Sequence, residues 1–119
     1  MLTHKVIDRS IADQLLARKR NGLTVYERLI PLFEAETPIL IDEIITHVNS
    51  ASFDAFRSAA HKLKGSASVL GASELTELAS AINLAGLNQE LPDMALINAL
   101  PGAFERFVSE ARHLCGAKA

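Results

Sequence analysis

The chain has 119 residues, of which 49% are hydrophobic and 5% aromatic, and its 12 basic and 14 acidic side chains give a formal charge of −2. This length predicts one domain, residues 1–119, with a core of its own and no room for a second, catalytic domain such as a protein kinase. Nucleic acid is not expected as a partner, because the chain has no excess of basic residues.

The single cysteine, Cys115, excludes a disulfide framework and indicates a reducing compartment. We find no apolar run long enough to span a membrane and no signal-peptide pattern. We therefore expect a cytoplasmic domain without direct membrane insertion, monomeric in isolation, and compatible with attachment to a membrane-anchored sensor protein.

The first half of the chain predicts two helices. One covers 5–20, with Arg18-Lys19-Arg20 at its C-terminal end and Asn21-Gly22 ending it. We interpret the basic cluster as a solvated helix end, with a docking patch as the alternative. The other covers 23–48 as a single kinked helix, because its apolar spacing continues through Pro38 without a change of phase.

The second half predicts three more helices. A helix over 51–69 is ended by Gly71, and one over 73–86 is capped by Ser73. The last runs from Pro92 or Asp93 to Leu114, with a kink or brief break at Pro101-Gly102. We expect an all-α fold, an antiparallel up-and-down four-helix bundle with an additional N-terminal helix packed across one end.

The helix over 51–69 has two faces. Its apolar face consists of Phe53, Phe56, Ala60, Leu63, Ala67 and Leu70. A polar stripe on another side consists of Arg57, His61, Lys64, Gly65 and Ser68. His61 lies roughly 130° from the centre of the apolar face, so we expect its imidazole to face solvent.

The polar stripe suits phosphoryl chemistry. An exposed, largely neutral imidazole is a nucleophile that can accept a phosphoryl group on nitrogen. The ammonium of Lys64, one turn on from His61, could reach the phosphoryl oxygens. Gly65 costs about 1 kcal/mol relative to alanine inside a helix. We attribute it to close approach of another protein, with tight packing against the helix that carries Asn83 as the alternative.

The motif Ala60-His61-x-Leu63-Lys64-Gly65-Ser66, followed by Gly71, resembles the phosphorylation motif of histidine-containing phosphotransfer (HPt) domains, which relay phosphoryl groups in two-component signalling. In that family a Glu or Gln usually lies 22 positions beyond the histidine and faces the site. Here the position is Asn83, an amide on a shorter stem. The candidate binding residues are Gly65, Ser68, Arg57 and Asn83.

The resemblance implies that His61 accepts a phosphoryl group from a receiver-domain phospho-aspartate and passes it to another receiver aspartate. Lys64 would offset charge, Mg²⁺ would belong to the receiver, and the domain itself would need no cofactor and would be a carrier rather than an enzyme. The segments Phe33-Glu34 and Pro38 to Ile44 resemble modules at the C-terminal end of tripartite hybrid sensor kinases.

The sequence contains no group of residues typical of a metal site or of a hydrolase. The four histidines, His4, His47, His61 and His113, occur on separate segments without a helical ligand partner, so no metal site is predicted. No Ser or Cys lies in a nucleophile elbow. A helical adapter remains the alternative function, although it would not need His61, Lys64 and Gly65 together. A kinase dimerisation domain would need an ATP-binding domain after it.

Overall fold

Four long helices build the fold. The computed structural model describes residues 6–116. In chain order its elements are α1 (Arg9–Ala17), β1 (Lys19–Arg20), β2 (Leu23–Thr24), α2 (Val25–Asn49), α3 (Phe53–Val69), α4 (Ser73–Leu87) and α5 (Met94–Gly116). The predicted all-α bundle with an additional N-terminal helix is confirmed, and the bounds of α2 to α5 differ from prediction by two residues or fewer.

Contacts between the helices show that neighbours run antiparallel. The hydroxyl of Tyr26, at the start of α2, donates to the carbonyl of Leu70 just after α3, over 3.1 Å. Gly86, at the end of α4, packs against Arg57 near the start of α3. The ring of Phe107, late in α5, packs edge-on against that of Tyr26. The bundle therefore buries one continuous apolar core along its axis.

Helix α2 passes through two prolines without interruption. Pro31 and Pro38 are both exposed, and the buried positions keep their phase on either side of them. A capping box starts the helix, in which Thr24 and Glu27 satisfy each other's backbone N–H groups. The single-helix prediction is confirmed. Helix α5 likewise continues through Pro101, so the break allowed for at that point does not occur.

The N-terminal segment differs from the prediction of one helix over 5–20. Helix α1 ends at Ala17, and Lys19–Arg20 pair antiparallel with Leu23–Thr24 as a short hairpin. Asn21 and Gly22 have φ angles of 56° and 82°, the left-handed values that a tight hairpin turn requires and that this dipeptide adopts readily. The helix prediction is therefore wrong at both ends, since residues 6–8 are not helical and α1 ends at Ala17, and Lys5 lies outside the described residues.

Gly71 joins α1 to the bundle. It ends α3 as predicted, with a φ of 74°, and its carbonyl accepts a 2.7 Å hydrogen bond from the Asp8 backbone N–H. A Cβ at Gly71 would lie 3.1 Å from the Asp8 carbonyl, so a larger residue would push α1 away. The predicted cap at Ser73 is wrong, because Ala72 is the N-cap residue and Ser73 is already helical.

Polar groups also cross the bundle. Glu74 of α4 is buried and accepts two hydrogen bonds from Arg106 of α5, at 3.1 and 2.7 Å. An ion pair between Glu34 and Arg112 links α2 to α5. Burial raises the pKa of the Tyr26 hydroxyl well above its usual value, with a smaller contribution from Cys115. The two ion pairs therefore tie α5 to both α4 and α2.

Candidate functional site

The polar stripe of α3 faces outward, as its periodicity predicted. Phe56, Ala60 and Leu63 are buried in the core, which turns the opposite side of the helix to solvent. His61 lies on that side and is exposed. Its imidazole is therefore accessible to a second protein from a broad range of directions.

Lys64 lies one turn after His61 and is half-buried. It is seven positions from Arg57, which contacts Gly86, so it lies on the side of α3 towards α4. Within residues 6–116, neither the imidazole of His61 nor the ammonium of Lys64 has a hydrogen-bond or ion-pair partner. Both groups are thus available to an incoming anion, and they project from the same side of one rigid helix.

The side chains of the other two polar residues of the stripe have different surroundings. Ser68 is exposed, and its hydroxyl donates a 3.0 Å hydrogen bond to the Gly65 carbonyl. Arg57 is half-buried, with its Cβ against Gly86 of α4. The stem of Arg57 is therefore held by packing, whereas Ser68 is held by its own helix.

Two glycines of the bundle differ in their surroundings. A Cβ built on Gly65 would meet no atom of the described residues within 4 Å, so none of them requires a glycine there. This geometry rules out tight packing against α4 as its cause. Gly86 is the glycine that α3 and α4 share, because its Cβ would lie 2.7 Å from that of Arg57. Sequence reasoning missed Gly86, since the contact joins residues distant in the chain.

Asn83 lies on the edge of α4 that faces α3. Because the two helices are antiparallel and Gly86 contacts Arg57, a turn back along α4 and a turn forward along α3 bring Asn83 and His61 to the same level. The Asn83 side chain is half-buried, and its Oδ1 is buried without a hydrogen-bond partner. An unpaired amide oxygen therefore lies on the neighbouring helix at the level of His61, and the structure shows no hydrogen bond between the two.

An apolar surface, which sequence reasoning missed, lies on the side of α3 towards α2. Leu32 and Ile39 of α2 and Val69 of α3 are 67%, 61% and 59% exposed. Between Leu32 and Val69 runs a groove of about 190 Å³ that Leu29, Phe33, Glu36, Ser66 and Leu70 also line. We call Leu32, Ile39 and Val69 the apolar stripe. Leu32 and Ile39 are seven positions apart and so lie on the same side of α2. A search for apolar residues on the outward side of this predicted helix would have found them.

The antiparallel pairing of α2 and α3 places the apolar stripe beside the histidine. The groove aligns Leu32 with Val69, and moving about two turns forward along α2 and about two turns back along α3 brings Ile39 level with His61. Large exposed apolar side chains that adjoin one another are typical of protein–protein contact sites. The histidine therefore lies at the margin of a surface suited to a partner.

Other kinds of site find little support. Among residues 6–116, no group of three or more His, Cys, Asp and Glu side chains is placed to hold a metal ion. Over the same range no helix combines the length and apolarity needed to cross a bilayer.

Comparison with known proteins identifies the family. The model of the Hpt domain matches residues 28–113, which include α3, α4 and most of α2 and α5. The chain therefore belongs to the Hpt domain family, whose members are histidine-containing phosphocarriers that act with receiver domains in phosphorelays. No curated protein and no solved structure matches the chain.

Proposed function

We propose that His61 is the phosphoryl acceptor of this domain and that it carries the group between receiver-domain aspartates. The observation that carries the proposal is the exposed, unpartnered imidazole on the outward side of α3, inside the segment matched by the family model. An acceptor must be reachable by a protein-borne donor, and this position meets that need without any rearrangement of the bundle.

The proposed step is an in-line displacement. The lone pair of a neutral ring nitrogen of His61 attacks the phosphorus of an aspartyl phosphate, an N–P bond forms, and the P–O bond to the aspartate breaks. The aspartate leaves as a carboxylate. The reverse sequence on a second receiver returns the phosphoryl group to oxygen. Because the transfer exchanges one bond to phosphorus for another, the domain itself needs no nucleotide and no cofactor.

Neighbouring residues of the polar stripe have supporting roles in this proposal. The ammonium of Lys64 offsets negative charge on the phosphoryl oxygens in the transition state. The open space over Gly65 admits the backbone of the receiver next to the reacting atoms. Asn83 can orient the imidazole, since its buried Oδ1 has no other partner and can accept a hydrogen bond from a ring N–H, or it can donate from its amide nitrogen to the phosphoryl oxygens. Arg57 and Ser68 border the same contact.

The apolar stripe supplies the docking surface in this proposal. Burying Leu32, Ile39 and Val69 against a receiver would supply hydrophobic binding energy next to the reacting groups. The polar residues would then have only to orient the phosphoryl group and the imidazole. The Mg²⁺ that assists cleavage of the aspartyl phosphate belongs to the receiver in this mechanism. The proposed setting is the cytoplasm, and attachment to a hybrid sensor kinase rests only on the sequence resemblance of Phe33-Glu34 and Pro38 to Ile44.

The test uses a receiver domain carrying a ³²P-labelled aspartyl phosphate. The unaltered chain should take up label that is lost in acid and retained in base, as expected for phosphohistidine. His61→Gln should fold normally, because the side chain is exposed, and should take up none. His113→Gln, which alters another exposed histidine, is the matched control and should label normally.

Two results would contradict the proposal. Undiminished labelling of His61→Gln would place the acceptor elsewhere. Tight binding of receivers to the unaltered chain without any label transfer, under conditions where the same receivers label another HPt domain, would favour the adapter alternative.

A further inference from the structure

A basic hairpin projects from the end of the bundle where α2 begins. Arg18, Lys19 and Arg20 are consecutive and exposed, and Arg28, one turn into α2, is exposed beside them. We call these four residues the hairpin cations. They stand out in a chain whose formal charge is −2. Such a concentration of one charge produces a local potential that can act on a charged partner.

The hairpin cations are held on a fixed backbone. The Arg28 guanidinium donates a 2.8 Å hydrogen bond to the Arg20 carbonyl, and the Val25 backbone N–H donates to the Arg18 carbonyl over 2.9 Å. In the segment that the structure describes, the ion pairs are Arg9–Asp13, Glu74–Arg106 and Glu34–Arg112, so no hairpin cation belongs to one. The nearest carboxylate in sequence, Glu27, serves the capping box.

The hairpin cations adjoin the apolar stripe. Arg28, Leu32 and Ile39 are separated by four and seven residues, so they form one line along the outward side of α2. Beyond Ile39 the exposed carboxylates of Asp42 and Glu43 follow. The surface thus runs from positive to negative along one helix, through an apolar section whose groove side carries the exposed Glu36. A partner seated on it would meet opposite charges at its two ends, which fixes its orientation.

The dimensions favour one continuous contact. Arg28 and Ile39 are about 16 Å apart along the helix axis. A standard protein interface buries about 800 Å² on each partner, a patch roughly 30 Å across. A receiver that reaches His61 over the apolar stripe would therefore also cover the start of α2.

We propose that the hairpin cations select the partner of this domain, and that the receiver it serves carries a cluster of carboxylates on the surface that meets them. This inference rests on the proposed function, because it assumes a receiver docked over His61. Residues 18–20 precede the segment matched by the family model, so the feature distinguishes this chain from the shared part of the family. Long-range attraction raises the association rate of charge-complementary partners, and like charge discourages others.

The test starts from a panel of receiver domains, each phosphorylated with acetyl phosphate, from which the fastest donor to the unaltered chain is chosen. The variant R18Q/K19Q/R20Q removes three hairpin cations and leaves Arg28, which supports the hairpin backbone. Its matched control, R18K/K19R/R20K, conserves every charge. Circular dichroism and thermal melting check that both variants fold as the unaltered chain does.

The neutralised variant should lose about tenfold in kcat/KM for transfer at roughly 20 mM salt and less than about twofold at roughly 0.5 M, where charges are screened. Its transfer rate at saturating receiver should not change, because the reacting groups are untouched. The charge-conserving control should stay within about twofold of the unaltered chain at both salt concentrations.

Three results would overturn the inference: no loss in the neutralised variant, an equal loss at both salt concentrations, or an equal loss in the charge-conserving control. Sedimentation with vesicles containing phosphatidylserine, abolished in the neutralised variant while transfer stays normal, would assign the hairpin to a membrane surface instead. If the unaltered chain accepts label normally and the variant matches it, only this inference fails. If no receiver labels the unaltered chain, the proposed function fails first.

Discussion

Alanine at Gly86 and alanine at Gly65 should change stability in opposite directions, although both glycines lie inside helices. At Gly65 an added methyl group enters open space. At Gly86 it would lie 2.7 Å from Cβ of Arg57 and 3.1 Å from both the Phe53 carbonyl and Cε1 of Phe56. One of these neighbours is backbone and none is the free end of a flexible chain, so α3 and α4 must separate to make room.

The magnitudes follow from these surroundings. Replacing a helical glycine with alanine gains about 0.5–1 kcal/mol from backbone entropy, and Gly65→Ala should realise that gain in the free energy of unfolding. Forcing a methyl group into a filled contact costs about 1–3 kcal/mol. Gly86→Ala should therefore be destabilised by about 1–2 kcal/mol after the entropic gain is subtracted. At this chain length the two melting temperatures should differ by about 6–12 °C.

Urea denaturation followed by circular dichroism, with the slope held common to both variants, measures the two free energies directly. Gly65→Ala should also retain phosphoryl transfer, since a methyl group adds little beside the histidine. The reasoning would be refuted by a Gly86→Ala domain at least as stable as Gly65→Ala, because the spacing between α3 and α4 would then not depend on that glycine.

Three further predictions concern single side chains. Lys64→Ala should slow phosphoryl transfer to His61 while changing the free energy of unfolding by less than about 0.5 kcal/mol. A large loss of stability with normal transfer would show that the lysine has a structural role instead. Thr37→Val should raise the free energy of unfolding by about 1 kcal/mol in urea titrations, because the fully buried Thr37 hydroxyl has no hydrogen-bond partner. For Tyr26 the raised pKa means that above about pH 10 the unfolded chain loses a proton that the native state keeps, so stability should fall as pH rises. Tyr26→Phe should lack that decline and lose about 1 kcal/mol at neutral pH, and phenolate absorbance appearing before unfolding would contradict this explanation.

The helices and the orientation of His61 were predictable because both depend on periodicity within one segment. Apolar residues at three-four spacing identify the buried side of α3, and the histidine is then placed by its angle alone. The unbroken apolar spacing likewise predicted correctly that α2 continues through Pro38. Neither inference needed knowledge of which helices would touch.

The hairpin was missed because Asn21-Gly22 is compatible with two structures. The dipeptide ends helices and also closes two-residue hairpins, and Arg18-Lys19-Arg20 offers no apolar alternation to decide between them. The separate environments of Gly65 and Gly86 were equally hidden, since contacts between α3 and α4 set them. The unpaired oxygen of Asn83 depends on the same packing.

The uninterrupted helix α2 restricts the insertions and deletions that related chains can tolerate. The helix carries Arg28, Leu32 and Ile39 at fixed rotations about one axis, so inserting a single residue between them would turn all that follows by about 100°. Such an insertion would bury part of the apolar stripe and expose core residues instead. The connection over 88–93 is not part of a helix, so an insertion there rotates no side chains about a helix axis. Doubling the length of a flexible loop costs only about 0.6 kcal/mol in closure entropy. Related chains should therefore differ in α2 by substitution alone and differ in length between α4 and α5.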